Sequence, residues 1–281
     1  MQNQNTEIKP VETDDWYRID IDQVLKTKAS KIYKYIPRFL INYVKHIVHQ
    51  DQLNEFISNT KNVIGIPFAK VALDYFGCKI SIKGIENVPD NGRFIFVSNH
   101  PMGGLDGMAF MYAVSAKYTD IKFPVNDLLL YVKNFEGIFL PVNKTGVTGR
   151  NAALLMEEAF ASDSQMLMFP AGLCSRKING KIQDLEWKKS VVAKAVQTKR
   201  DIVPVYITGR NSNFFYNLSR IRRKLGIKAN VEMLYLVDEM YKQMGHSIDI
   251  HFGKPISYTD FEGKKPYDVA QELRKLVYTL A

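Results

Sequence analysis

One short stretch, Ser98-Asn99-His100-Pro101-Met102-Gly103-Gly104-Leu105-Asp106-Gly107, places an imidazole, a carboxylate and three glycines within ten residues. A hydroxyl is a poor nucleophile until a base takes its proton. Histidine is the usual base near neutral pH, and a carboxylate on its other ring nitrogen fixes tautomer and orientation. The pair His100 and Asp106 therefore suits acyl transfer to an alcohol. No serine or cysteine nucleophile is then needed, because the acceptor's own hydroxyl attacks the acyl carbon of a thioester. The bland alternative is a histidine that closes a strand and an aspartate that caps a helix, and the spacing by itself leaves both open.

The elements that must position these residues are readable on either side. Phe94 to Val97 is an apolar run that reads as a buried strand, and Met108 to Tyr118 follows with helical periodicity. Asp106 then falls where an N-cap is expected, its side chain accepting an unpaired N–H of the first turn. Gly103, Gly104 and Gly107 allow a sharp turn and a close approach of ligand, and amides near Gly103, Gly104 or Gly172 are candidate oxyanion donors. Three further apolar strands run into polar loops: Gly137–Val142 into Asn143 and Lys144, Met166–Phe169 into Gly172, Ser175 and Arg176, and Ile202–Ile207 into Arg210 and Asn211. Ligands in open α/β sheets gather at such strand ends. Lys144, Arg176 and Arg210 are thus candidate holders of an anionic group on the substrate, with Asn143, Ser175 and Asn211 beside them. Ordinary solvated basic loops are the competing reading for each.

With 281 residues, 46% of them hydrophobic and 24% charged, the chain has the material for one large ordered α/β unit plus a smaller appendage. Its formal charge of +9 favours an anionic partner: a lipid surface, nucleic acid or an acidic carrier protein. No nucleic-acid motif or interleaved aromatic patch accompanies that charge, so nucleic acid is not expected. Two cysteines, Cys78 and Cys174, lack metal-type spacing; neither a disulfide framework nor a metal site is expected, and Cys174 reads as a packing residue. Residues 1–20 read as a polar lead-in without a signal-peptide pattern, residues 21–77 as a helical segment, and residues 78–281 as the α/β domain. The stripe Ile32, Tyr35, Ile36, Phe39, Leu40, Tyr43, Val44 and Ile47, interrupted by Pro37, carries Lys31, Lys34, Arg38, Lys45 and His46 mostly off it. Such a helix suits a lipid interface, although amphipathic stripes usually pack on a core, and most of this one is expected to do so. No apolar run is long enough to span a bilayer, so any membrane association is expected to be peripheral. Ser247 to Phe252 alternates as an antiparallel or edge strand with His251 on its solvent side. Val231 to Val237 stays open between strand and helix. Pro266 to Ala281 reads as a closing helix.

The central stretch resembles the first motif of the PlsC-like glycerolipid acyltransferases, an Asn-His followed by an Asp. Five residues, Pro101 to Leu105, stand here where that family has four. Gly137-Ile138-Phe139-Leu140-Pro141-Val142-Asn143-Lys144 resembles the second motif, with Asn143 in the place of its arginine and a cation one position later. Phe169-Pro170-Ala171-Gly172 resembles the third, with Ala171 in the place of its glutamate, and Pro204-Val205 resembles the fourth. The variant first motif is similar to a branch that includes hemolysin-like acyltransferases and O-acyltransferases of amino-acid lipids. The resemblance implies a glycerol-3-phosphate acyltransferase-like fold, with a central mixed sheet flanked by helices and an N-terminal helical segment that engages the membrane. It implies a lysolipid O-acyltransferase with His100 as base and Asp106 as its orienter. Acyl carrier protein or coenzyme A would carry the acyl group as co-substrate, with no further cofactor, at the cytoplasmic face of the inner membrane. The acceptor is a 1-acylglycerol 3-phosphate or a lyso-amino-acid lipid. A noncatalytic membrane-surface protein on the same fold and an acyl-thioester hydrolase are the remaining alternatives.

Overall fold

A computed structural model describes residues 18–28, 30–126, 129–130, 132–142 and 146–281. In chain order its elements are α1 (Ile21–Lys28), α2 (Ser30–Tyr33), α3 (Arg38–Ile47), α4 (Gln50–Asn59), α5 (Ile66–Tyr75), β1 (Lys79–Lys83), β2 (Phe94–Ser98), α6 (Leu105–Val114), β3 (Ile121–Val125), β4 (Phe139–Pro141), α7 (Gly146–Ala161), β5 (Gln165–Met168), β6 (Arg176–Ile178), β7 (Lys181–Gln183), α8 (Ser190–Thr198), β8 (Asp201–Ile207), α9 (Asn213–Lys224), α10 (Leu236–Lys242), β9 (Ser247–Phe252) and α11 (Pro266–Tyr278). Seven strands form one sheet in the order β1-β9-β8-β2-β5-β3-β4. The run from β8 to β4 is parallel, β9 is antiparallel to β8, and β1 is parallel to β9. The sheet is therefore mixed, as the resemblance implies, and five parallel strands direct their C-terminal ends to one edge.

Strand β2 lies near the middle of that sheet and is buried along its whole length. Its side chains alternate between two apolar layers, as a period of two requires. Phe94 and Phe96 belong to the apolar layer that also holds Phe68 and Leu73 of α5 and Ala109 and Phe110 of α6. Ile95 and Val97 belong to the layer that also holds Val191 and Ala195 of α8 and Val269 and Leu273 of α11. Burial on both faces is why this strand reads as a continuous apolar run.

Several expectations change in the structure. β9 is neither an edge strand nor purely antiparallel, because β1 pairs along its outer side from Lys79↔Ser247 to Lys83↔His251. His251 is not on a solvent side: its Nδ1 lies 2.5 Å from the Leu280 carbonyl, beneath the C-terminal end of the chain. Val231–Tyr235 is a 3-10 turn leading into α10. Arg176, expected in a loop, instead opens the small hairpin β6-β7. The stripe between residues 32 and 47 mostly escapes the core. Ile41 and Ile47 are buried, whereas Tyr35 is 72% and Phe39 69% exposed. The helix breaks between α2 and α3, with Pro37 at the N-cap of α3, so the residues before and after it share no common face.

Candidate active site

The turn after β2 begins with a side chain that imitates a strand. Asn99 Oδ1 accepts the Ile207 N–H at 2.8 Å and its Nδ2 donates to the Ile207 carbonyl at 2.8 Å. The β2–β8 ladder is thus completed by a side chain, and the main chain is free to turn outward at His100. There, His100 Nδ1 lies 2.9 Å from Asp106 Oδ2. The same carboxylate accepts N–H groups from Met102 at 2.8 Å, Gly103 at 3.0 Å and Gly107 at 3.0 Å. Asp106 is not the N-cap expected for it. Gly104 occupies that position and Asp106 sits in the first turn of α6, where it gathers the loop around itself. Five intervening residues close without strain because Gly103 takes φ +90°.

Asp106 is fully buried, which by itself pushes its carboxyl up. The His100 ring and the amides of Met102 and Gly103 outweigh that and hold it below its usual 3.8. The imidazole stacks on Phe169, ring centres 3.9 Å apart and planes 14° from parallel. An aromatic face favours a positive ring above it, so Phe169 and Asp106 both stabilise the imidazolium that a base becomes. With Nδ1 on the carboxylate, Nε2 is the ring nitrogen left to accept a proton. The His100 side chain is 17% exposed, enough for access without full hydration.

The remaining candidates separate. Gly103 and Gly172 spend their N–H groups on Asp106 and on the Phe169 carbonyl, so neither is an oxyanion donor. Gly104 carries no such bond among the described residues. Ser175 is buried and donates to Asp184 Oδ1 at 2.6 Å. Arg176 is buried on β6, with Nη2 3.0 Å from Glu232 Oε1, and Arg222 of α9 binds the other Glu232 oxygen at 2.8 Å. Arg176 therefore joins the hairpin to α9 and offers no charge to a substrate. Cys174 is buried, and burial lifts its thiol to about 11, which suits packing. Asn211 is buried, donating from Nδ2 to the Met102 carbonyl at 3.0 Å and so bracing the His100 loop. Arg210 stays at the surface, its Nη2 donating to Asn213 Oδ1 at 2.6 Å and its Nε to the Asn211 carbonyl at 3.5 Å. It lines an open depression of about 640 Å³ with Lys242 and His246. Asn143 and Lys144 lie outside the described residues.

Phe169 and Asp184 are neighbours of His100 that no motif in the sequence marks as such. Phe169 stands in the sequence as the end of an apolar strand and the first residue of the Phe169-Pro170-Ala171-Gly172 stretch, neither of which places it against His100, and Asp184 belongs to no periodic pattern. Gly103 also has a second duty: a Cβ there would lie 2.9 Å from Leu236 Cδ2 and 3.3 Å from Cys174 Cβ. Gly103→Ala is expected to destabilise the fold by about 1–3 kcal/mol, since it adds a left-handed backbone penalty to overpacking. Urea denaturation monitored by circular dichroism checks this.

Comparison with known proteins adds to this geometry. Residues 23–280 match the family described as Acyltransferase. The chain is 48% identical over 269 residues to a lyso-glycine lipid O-acyltransferase of Phocaeicola vulgatus, covering 95% of this chain and 96% of the relative. It is 46% identical to a protein of the same name from Bacteroides thetaiotaomicron, covering 95% and 99%. The solved structure of the 1-acyl-sn-glycerophosphate acyltransferase PlsC from Thermotoga maritima superposes with a TM-score of 0.50 at 18% identity, over 92% of this chain and 95% of that one.

Proposed function

The chain belongs to the Acyltransferase family and is an acyltransferase, and from that premise we propose that it moves a fatty acyl group from a thioester to the hydroxyl of a lyso-glycine lipid. The observation that carries the mechanism is the 2.9 Å contact between His100 Nδ1 and a fully buried Asp106. In this reading Nε2 takes the acceptor's hydroxyl proton as the oxygen attacks the thioester carbon. The C–S bond then breaks, and the proton passes from Nε2 to the departing thiolate. Coenzyme A or an acyl carrier protein supplies that thiolate.

The acceptor assignment has two supports. One is the name of the two relatives that match nearly end to end. The other is chemical: a glycine headgroup carries one carboxylate, and the Arg210 guanidinium, which has no carboxylate partner among the described residues, can meet one carboxylate in a two-pronged contact. No described helix is long and apolar enough to cross a membrane. A lipid enzyme must still reach its substrate, and Tyr35, Phe39 and Leu225 stand about 70% exposed. Near them an apolar cavity of about 330 Å³ opens among Leu40, Tyr43, Leu218 and Leu234. In this proposal that face rests on the membrane surface, with Arg220, Arg223 and Lys224 toward anionic headgroups.

Purified protein given an acyl thioester is expected to acylate lyso-glycine lipid at least about ten-fold more efficiently, in kcat/KM, than 1-acylglycerol 3-phosphate. Mass spectrometry of the product checks this. Preference for the phosphate acceptor would overturn the acceptor assignment, and free fatty acid formed without acceptor would mark a hydrolase.

A further inference from the structure

The main chain of His100 is held by a second carboxylate. Asp184 Oδ1 accepts the His100 backbone N–H at 3.1 Å and the Ser175 hydroxyl at 2.6 Å, and its Oδ2 accepts Trp187 Nε1–H at 2.9 Å. Ser175 returns the contact, its own N–H donating to the His100 carbonyl at 2.6 Å. The peptide unit of His100 is therefore gripped at both its donor and its acceptor. Asp184 is in turn fixed from α11: its N–H donates to Tyr278 Oη at 2.8 Å, and Arg274 Nη2 donates to its carbonyl at 2.5 Å. Trp187 is tied to the same helix through Gln271, which accepts its N–H at 3.3 Å and donates to its carbonyl at 2.8 Å.

An aspartate with no solvent exposure is costly unless its environment suits the charge. Three donors converge on this one, the pattern that an ionised carboxylate satisfies and a neutral amide does not. We infer that Asp184 is a positioning residue for acyl transfer, clamping the backbone of His100 and supplying a second negative charge that favours the imidazolium formed as Nε2 takes the acceptor proton. This rests on the assignment of His100 as the base. The other ionisable groups around the pair are Asp106 of α6, Cys174, Lys188 against Gly172, and Arg274 and Tyr278 of α11. Burial outweighs its partners and holds the Asp184 carboxyl above its usual 3.8, while Ser175, Trp187, the His100 N–H and the His100 ring pull the other way. All three contacts to its oxygens come from donors, and it is this geometry that assigns the charge.

The experiment compares the full-length protein with Asp184→Asn, Ser175→Ala and His100→Ala, reading kcat and acceptor KM across pH. Removing a nearby negative charge makes the imidazolium harder to form. The acid limb of the Asp184→Asn profile is therefore expected about one unit lower, with kcat reduced about ten-fold or more and KM within about two-fold. Ser175→Ala keeps both charges and is expected to leave the limb in place. A residue that only supports the fold would lower the rate with the folded fraction and move no limb. An Asp184→Asn profile that superimposes on the parent overturns the inference, provided His100→Ala is inactive. A fully active His100→Ala protein instead removes the base assignment itself. Should Asp184→Asn fail to fold, carbon-13 carboxyl resonances of the unsubstituted protein decide. Asp184 is expected to read as ionised at neutral pH, and a neutral acid there overturns the inference.

Discussion

His100→Ala is expected to cost about ten-thousand-fold in acyl-transfer rate, at the upper end of what a positioned base supplies. The size follows from what remains. Without the imidazole no other described side chain pairs with Asp106, whose remaining partners in the loop are backbone N–H groups. These have no proton-accepting capacity to offer a hydroxyl. The fold should survive, for the same reason. Asp106 keeps its amide donors, Asn99 keeps the β2–β8 ladder joined, and the peptide of residue 100 keeps Asp184 and Ser175. Single-turnover transfer measured beside a thermal melt separates the two effects. A folded variant within ten-fold of the parent rate would mean that the proton goes elsewhere.

How much of this was legible in the chain depends on whether a feature is local. The parallel strands and the loops after them were readable, because a strand buried on both faces is apolar throughout and the polar residues that follow stand out. Phe94–Ser98 and Asp201–Ile207 are the cases in point. The His100–Asp106 pair was readable because both partners lie on one turn. What could not be read was set by distant segments. Arg176 looked like a substrate cation because Glu232, 56 residues on, is invisible to any local pattern. Ser175 and Asp184 form a bond across a hairpin of two short strands, too brief for periodicity to announce. The stripe on α2 and α3 was misjudged because periodicity reports that a helix has an apolar side, not what covers it. Only the helix-capping part of the Asp106 reading fails, for a related reason. An aspartate near a helix start is commonly a cap, but here an imidazole and three loop amides compete for its oxygens and win.

Asp106→Asn is the second large effect, and its two consequences have different signatures. The carboxylate oxygens accept one imidazole contact and three amide contacts. An asparagine offers one acceptor oxygen and turns an NH₂ group toward N–H donors or toward the ring. If that NH₂ faces Nδ1, the ring must carry its proton on Nε2, and the base has lost its lone pair for the acceptor. The rate is expected to fall by about three to four powers of ten, as for other imidazole bases deprived of their orienting carboxylate. Stability should fall too, by about 2–4 kcal/mol near neutral pH, because buried amides lose their acceptor. This second loss depends on pH in a known direction. The folded carboxyl is held below 3.8, so its contribution is present above that value and is lost as pH falls through the lower folded one. The asparagine has no such proton to take up. The stability gap between parent and variant should therefore narrow on acidification while the activity gap at neutral pH persists. Urea midpoints followed from neutral pH down to about pH 3 test this. A gap that stayed constant would mean that Asp106 is not an ionised partner of His100, and the mechanism built on their contact would fall with it.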